Sequence, residues 1–271
     1  MWEHAEEAAG TTPADSRGEE TMEHRIVSRE EWLAARKAHL ANEKELTRRR
    51  DALSAERRAL PWVRVEKAYT FEGWDGGLSL GDLFAGNSQL IIYHFMFGPG
   101  AREGCPSCSF LADHFDGANR HLRHHDVSLV VVSRAPYAEF QNFRHRMGWD
   151  FPWVSSANSD FNYDFHVSPS PGEKAAGRYE YNYTMHDGQG GEMPGFSVFY
   201  RNDAGEIFHT YSTYARGGDL LIGAHNFLDM TPKGRNEVGI MDWVRHHDRY
   251  PGKPLGAASF QPELAVSSYS D

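Results

Sequence analysis

Two apolar runs of strand length, Leu90-Ile91-Ile92-Tyr93-His94-Phe95-Met96-Phe97 and Val127-Ser128-Leu129-Val130-Val131-Val132-Ser133, constrain this chain more than any other feature. Neither keeps a strict polar–apolar alternation, so each needs cover on both faces, as strands at the middle of a sheet do. The stretch between them, from about Pro106 to His124, reads as a helix. A second helix is predicted from Pro136 to Met147, with its proline in the first turn, where a missing N–H costs nothing. Trp153-Val154-Ser155 then supplies a third, shorter strand. Strands alternating with helices at these spacings predict an α/β fold with a parallel or mixed central sheet and helices on both faces.

Around this centre, Tyr69-Thr70-Phe71 and Leu78-Ser79-Leu80 predict short edge strands about a turn at Gly76-Gly77. After Pro194, Phe196–Tyr200 and Ile207–Tyr211 read as antiparallel strands across Asn202-Asp203-Ala204-Gly205. Asp219 to Leu228 reads as a helix and Asp242 to His247 as a last turn. Upstream, Ser28 and Glu31 have the spacing of a capping box. The Ala-, Leu-, Glu-, Lys- and Arg-rich stretch that follows predicts a long helix ended by Pro61. Its larger apolar residues, Ile26, Leu33, Leu40, Leu46, Leu53 and Leu60, form a narrow stripe. Such a stripe suits packing on the parent domain or a homodimer through this helix, although the six-residue step from Leu40 to Leu46 breaks a heptad. The expected organisation is a flexible tail over residues 1–24, a helical extension over 25–61, a main domain over 62–250 and a loose tail over 251–271. Residues 168–193 interrupt the strand–helix alternation with polar, aromatic and Gly-rich sequence, expected as an inserted loop.

Composition narrows the classes of function. A formal net charge of −10 argues against a general nucleic-acid binder, which carries a basic face. No apolar run reaches the length of a membrane span. Met1-Trp2-Glu3-His4-Ala5-Glu6-Glu7 lacks the basic and apolar regions of a signal peptide, so a cytoplasmic location is expected. Neither a G-x-G-x-x-G loop after a strand nor a G-x-S-x-G elbow is present, so no nucleotide cofactor or acyl transfer is indicated.

The chemistry-bearing feature is Gly104-Cys105-Pro106-Ser107-Cys108, which contains the only two cysteines of the chain and joins the first strand to the first helix. Cys105 falls at the N-cap, Pro106 at the first helical position and Cys108 at the third. A thiol there meets unsatisfied N–H groups and the positive end of the helix dipole, and both favour the thiolate. The spacing leaves the first sulfur accessible and shields the second. Cys105 is thus expected to attack a disulfide and Cys108 to resolve the mixed disulfide. Two other readings compete: an inert buried pair, or half of a zinc site. Zinc wants four ligands, and no H-x(3–5)-H pair lies at a convincing distance downstream. His121, His124 and His125 suit a helix C-terminus instead. Elsewhere, Trp149-Asp150-Phe151-Pro152-Trp153 reads as core, and Tyr181, Tyr183, His186, His209 and Tyr211 as the lining of a polar pocket.

The order strand, C-x-x-C, helix, strand, helix, then a proline leading into a hairpin and a final helix resembles the thioredoxin fold, carried here by Leu90–Phe97, Cys105–Cys108 and Pro194–Phe199. Phe151–Ser156 and Asp160–Phe165 are similar to peroxiredoxin-like members of that class. More specifically, the chain resembles a bacterial family of predicted dithiol–disulfide oxidoreductases (domain of unknown function 899). That likeness is carried by Cys105–Phe110, Tyr181-Asn182-Tyr183, His209–Gly217 and Asp229–Arg235. It implies a thioredoxin-like fold with a central mixed sheet, a thiol–disulfide enzyme needing no bound cofactor or metal, and a protein or small-molecule thiol or disulfide as partner. It places Pro194 at the position of the fold's cis-proline, beside the Cys pair. A thiol peroxidase and a non-catalytic small-molecule- or metal-binding protein are the alternatives. The Pro-Ser dipeptide between the cysteines departs from the Gly-Pro of ordinary thioredoxins.

Overall fold

The two apolar runs lie side by side and parallel, with Ile92 opposite Val130 and His94 opposite Val132. The structure, a computed structural model, describes residues 24–252, in two compact units of residues 24–58 and 59–252. Apart from residues 24, 251 and 252, the expected tails lie outside the described residues. The first unit is one helix, α1 (Arg29–Arg58), opened by the capping box foreseen from Ser28 and Glu31: each backbone N–H reaches the other's side chain at 3.2 Å. No helix among the described residues is long and apolar enough to cross a membrane.

The second unit begins with β1 (Val63–Arg64), β2 (Thr70–Gly73) and β3 (Gly76–Ser79). Gly76 and Gly77 belong to β3, so the turn falls on Trp74-Asp75 instead. Then come β4 (Gln89–His94), α2 (Pro106–Ala112), α3 (Phe115–Arg123), β5 (Val127–Ser133), α4 (Tyr137–Arg146), β6 (Trp153–Ser155) and the one-turn α5 (Phe161–Asp164). The inserted segment carries α6 (Pro171–Ala176), β7 (Arg178–Tyr181) and β8 (Thr184–Asp187), and β9 (Gly195–Arg201), β10 (Ile207–Tyr214) and α7 (Gly223–Leu228) complete the unit. An eight-stranded mixed sheet has the order β1-β10-β9-β4-β5-β6-β2-β3, and β7 pairs with β8 apart from it. β4, β5 and β6 are parallel; β9 runs antiparallel to β4, and β10 antiparallel to β9 on its far side. This is a thioredoxin-like fold, an α/β class with a central mixed sheet flanked by helices.

Alternation along β4 creates two layers of core. Leu90 and Ile92 pack with Phe71, Phe84, Phe161 and Phe199 on one face. Tyr93, Phe95 and Phe97 pack with Cys108, Phe115, Phe143, Trp149 and Trp153 on the other. Trp153 is fully buried, and its indole N–H is satisfied by Ser133 Oγ at 3.0 Å.

Several expectations are corrected. The strand predicted to run to Phe97 ends at His94: Phe97 N–H turns back to Phe95 C=O at 2.8 Å, and the apolarity of these residues reports burial, not strand. The helix predicted from Pro106 to His124 breaks at Asp113-His114, where the Asp113 carboxylate accepts from Trp149 Nε1 at 2.8 Å and meets His247 Nδ1 at 2.7 Å. The helix expected from Asp219 to Leu228 is a 3₁₀ segment, Ala215–Leu221, followed by α7. The last turn expected at Asp242–His247 divides: residues 240–243 form a turn, with Val244 N–H on Met241 C=O at 3.1 Å, and a 3₁₀ turn follows at His247–Arg249.

The expected loop over 168–193 is in good part regular. Ser170 and Glu173 form a second capping box with Pro171 at the first position, and Gly177 stops α6 at φ +63°. Asn182 and Tyr183, at φ +51° and +61°, then form a two-residue hairpin turn of the left-handed kind that matches strand twist.

Gly104 fixes the approach to the cysteines. A Cβ there would lie 2.5 and 2.6 Å from ring carbons of Phe95 and 2.8 Å from Phe143. Gly104→Ala is expected to lower the unfolding free energy by about 1–3 kcal/mol, measured by urea denaturation of the reduced protein. An unchanged midpoint would mean that the two rings yield freely.

Candidate active site

The Cys pair lies where β4 leaves the sheet. The chain passes from His94 through the buried Phe95 and Phe97 and returns, so that Cys105 N–H bonds Met96 C=O at 3.4 Å. Cys105 is the N-cap of α2 and Pro106 its first residue, as the sequence predicts. The first helical bond is doubled: both the amide and the hydroxyl of Ser109 donate to Cys105 C=O at 2.9 Å.

The loop before the motif is clamped by residues from far along the chain. His246, only 4% exposed, has Nε2 at 2.9 Å from Gly104 C=O. A carbonyl can only accept, so Nε2 carries the proton and Nδ1 accepts from the Arg146 guanidinium at 2.7 Å. Glu103 is bound by Arg146 at 2.5 Å and by Arg249.

Both thiols are free, Cys105 partly exposed and Cys108 buried at 2%. The Cys108 thiol is the strongest influence on Cys105, donating a hydrogen bond to its sulfur. The amides of Cys108 and Ser107 and the Ser107 hydroxyl add to it. Together they outweigh burial and bring the Cys105 pKa down to about 6. No conventional capping hydrogen bond closes at the Cys105 side chain. Cys108 moves the opposite way: burial and then its bond to Cys105 push its pKa well up, partly opposed by the Tyr93 hydroxyl and the Met96 N–H. One proton is thus held between two sulfurs, on the inner one.

Two tyrosine hydroxyls face this pair. Tyr93 packs in the same buried cluster as Cys108, and burial first, then the charge of the Cys108 sulfur, drives its pKa far up. Tyr181, also raised by burial, feels the Cys108 sulfur more weakly. Its hydroxyl donates to Pro194 C=O at 2.7 Å and accepts from Ala215 N–H at 2.8 Å. Pro194 itself immediately precedes Gly195, which pairs with His94 at the end of β4. No cis peptide bond occurs among the described residues, so the expectation of a cis-proline at Pro194 is not met. Met193 N–H bonds Val167 C=O at 2.8 Å and Pro194 C=O bonds Tyr181, which hold the chain extended into β9.

The five residues predicted to share a pocket divide. Tyr183 and His209 line a cavity of about 410 Å³ with Lys67, Phe165, His166 and Tyr214; neither cysteine lines it. Tyr181 turns to Pro194 instead. His186 stacks on Tyr179 and bonds Tyr181 C=O at 3.2 Å. Tyr211 meets the cavity group through its carbonyl, 3.1 Å from His209 Nε2, and its side chain acts electrostatically on Tyr183.

Behind His209 runs a buried polar chain that sequence reasoning missed. His209 Nε2 lies 2.7 Å from Ser212 Oγ, which is 2.9 Å from Ser197 Oγ, itself 2.8 Å from His94 Nε2. Burial, and then His209, lower the His94 pKa to about 3, so His94 is neutral. A lone histidine inside an apolar run was its sequence signal. Tyr93, packed within the same run, carried none. Among the described residues no group of three or more His, Cys, Asp or Glu side chains is placed to hold a metal.

The model of one protein family, described as bacterial protein of unknown function (DUF899), matches residues 21–250. The chain belongs to the DUF899 family. No curated protein matches this DUF899 chain. Solved structures similar to it include peroxidoxin BcpB from Mycobacterium tuberculosis, 13% identical over 60% of this chain and 94% of that one, with a TM-score of 0.40. Xanthomonas campestris peroxiredoxin Q is 16% identical over 57% of this chain and 87% of that one, also with a TM-score of 0.40.

In the DUF899 chain the electrostatics of the Cys pair predict a definite pH profile. Alkylation of Cys105 by iodoacetamide should reach half its plateau rate near pH 6 and fall below that as the thiolate takes up a proton. Peptide mapping should show Cys108 unmodified in the folded protein. A midpoint near the ordinary thiol value of about 8.5 would contradict the hydrogen-bonding pattern described here.

Proposed function

We propose that this protein is a dithiol–disulfide oxidoreductase in which Cys105 attacks a substrate disulfide and Cys108 resolves the mixed disulfide. The observation that carries this reading is the asymmetry of the pair. The more accessible thiol has its pKa lowered to about 6, and the buried one keeps its proton and points it at the first sulfur. A thiolate at neutral pH is the attacking species, and a protonated neighbour in contact is the resolving group in waiting. Perturbation of this size in opposite directions is what a reactive pair needs and an inert pair does not.

The reading requires no bound cofactor. The partner is a disulfide or thiol, on a protein or a small molecule, that can reach the partly exposed Cys105. Pro194 borders the same end of the sheet, and Tyr181 holds its carbonyl, so the chain around Pro194 is the surface against which a partner's backbone would lie.

Single substitutions test the assignment. Cys105→Ser is expected to abolish reduction of a small aromatic disulfide. Cys108→Ser should still attack and should accumulate a mixed disulfide, seen as a mass increase by intact-protein spectrometry. Full turnover by Cys105→Ser would sink the reading. Consumption of hydrogen peroxide faster than of disulfides would move it to a thiol peroxidase on the same two sulfurs.

A further inference from the structure

The cavity of about 410 Å³ that Tyr183 and His209 line is walled largely by rings. Tyr183 and Tyr214 meet at 5.5 Å and 71°, and Phe165 and His209 at 5.2 Å and 86°. Rings at such angles form corners, where a guest lies over one face while touching the edge of the next.

Tyr183 is a strained residue at this place. It stands at φ +61° in the two-residue turn between β7 and β8, a position that suits glycine and strains a bulky side chain. Tyr183 is 69% exposed, yet its hydroxyl donates to Ser212 C=O at 3.1 Å. The hairpin therefore brings a large ring to the cavity at a cost in backbone strain.

His209 supplies the polar contact. Its ring packs against Phe165 and Phe199, and Nε2 lies 3.1 Å from Tyr211 C=O and 2.7 Å from Ser212 Oγ. A carbonyl can only accept, so Nε2 carries the proton. Burial lowers the pKa of this imidazole, which keeps it neutral at pH 7 and leaves Nδ1 as an acceptor. Among the described residues, no group donates to that nitrogen.

Charge decides the sign of a guest. Arg64 and Lys67 line the cavity, and each is already ion-paired: Arg64 with Glu206, and Lys67 with Asp160 at 2.9 Å and Asp164 at 2.7 Å. Glu66 also lines it and forms no ion pair among the described residues. Two cations thus stand among four carboxylates, an excess of negative charge that repels an anion and attracts a cation. Aromatic faces attract a cation as well.

We propose that this cavity binds a small organic ammonium ion, enclosed by Tyr183, Tyr214 and Phe165 and donating one N–H to His209 Nδ1. Neither cysteine lines the cavity, so the proposal is independent of the dithiol-exchange reading.

Calorimetric titration of the full-length protein with four probes of similar shape tests this: benzylammonium, benzyl alcohol, benzyltrimethylammonium and benzoate. Benzylammonium should bind tightest. Benzyl alcohol keeps the ring and a donor but loses the charge, and should bind roughly tenfold more weakly. The quaternary ion keeps the charge but has no N–H, and should bind roughly fivefold more weakly. Benzoate should bind most weakly of all. Tyr183→Gly, which suits the turn and removes the ring, should weaken benzylammonium about fivefold or more. Alcohol, quaternary ion or benzoate binding as tightly as benzylammonium would overturn the proposal, as would unchanged affinity in Tyr183→Gly. Absence of benzylammonium binding at millimolar concentration would overturn it outright. The probe series uses the wild-type protein, so it decides the matter even where the variant fails to fold.

Discussion

The period-two alternation of β4 is the constraint on which the site depends. Successive side chains must point to opposite faces, so Leu90 and Ile92 serve one core and Tyr93 and Phe95 the other. Because Tyr93 and Phe95 share a face with α2, one packs in the buried cluster that holds Cys108 and the other supplies a ring against which Gly104 rests. A shift of one residue in the pairing of β4 with β5 would exchange the faces and leave the cysteines over Ile92 and His94. Six consecutive pairs with β5 and six with β9 oppose such a slip.

On that frame the two sulfurs are made unlike by position alone. The chain supplies one cysteine to the mouth of a short helix and the other to its buried flank. The amides, the Ser107 hydroxyl and the neighbouring thiol all favour charge on the outer sulfur. The apolar layer of Phe95, Phe110 and Phe115 disfavours it on the inner one. The difference requires no ionised partner side chain at the pair: every strong influence on Cys105 comes from residues 107 and 108 or from burial. Such a site is insensitive to salt, since its charge is set by dipoles in contact with it.

Local features were legible in the sequence to the degree that they were local. Val127–Ser133 and Trp153–Ser155 appear with the bounds their β-branched and aromatic runs imply, and the order of elements gave the thioredoxin-like class. The placement of Cys105, Pro106 and Cys108 on α2 followed from capping preference. Phe95 to Phe97 misled because burial and strand share one apolar signature. The hairpin at Asn182-Tyr183 was hidden because its turn uses Asn-Tyr where Asn-Gly would advertise it, and the Ser170–Glu173 box was overlooked within polar sequence. The contacts that complete the site were beyond reach. Tyr181 and Pro194 were each marked in the sequence, but that they meet, and that His246 meets Gly104, follows only from tertiary folding.

The clamp of His246 on Gly104 spans 142 residues of sequence, and that of Arg249 on Glu103 spans 146. A ribosome therefore releases the cysteine loop long before it has made the residues that hold it. The strands and helices from β4 to β6 can assemble around the nascent thiols, yet the loop bearing Cys105 stays without its far support until synthesis has passed Arg249. At typical elongation rates of about 5–20 residues per second, that interval lasts roughly 7–30 seconds. For that time the chain carries two thiols in an unfinished setting, exposed to whatever oxidants its compartment holds.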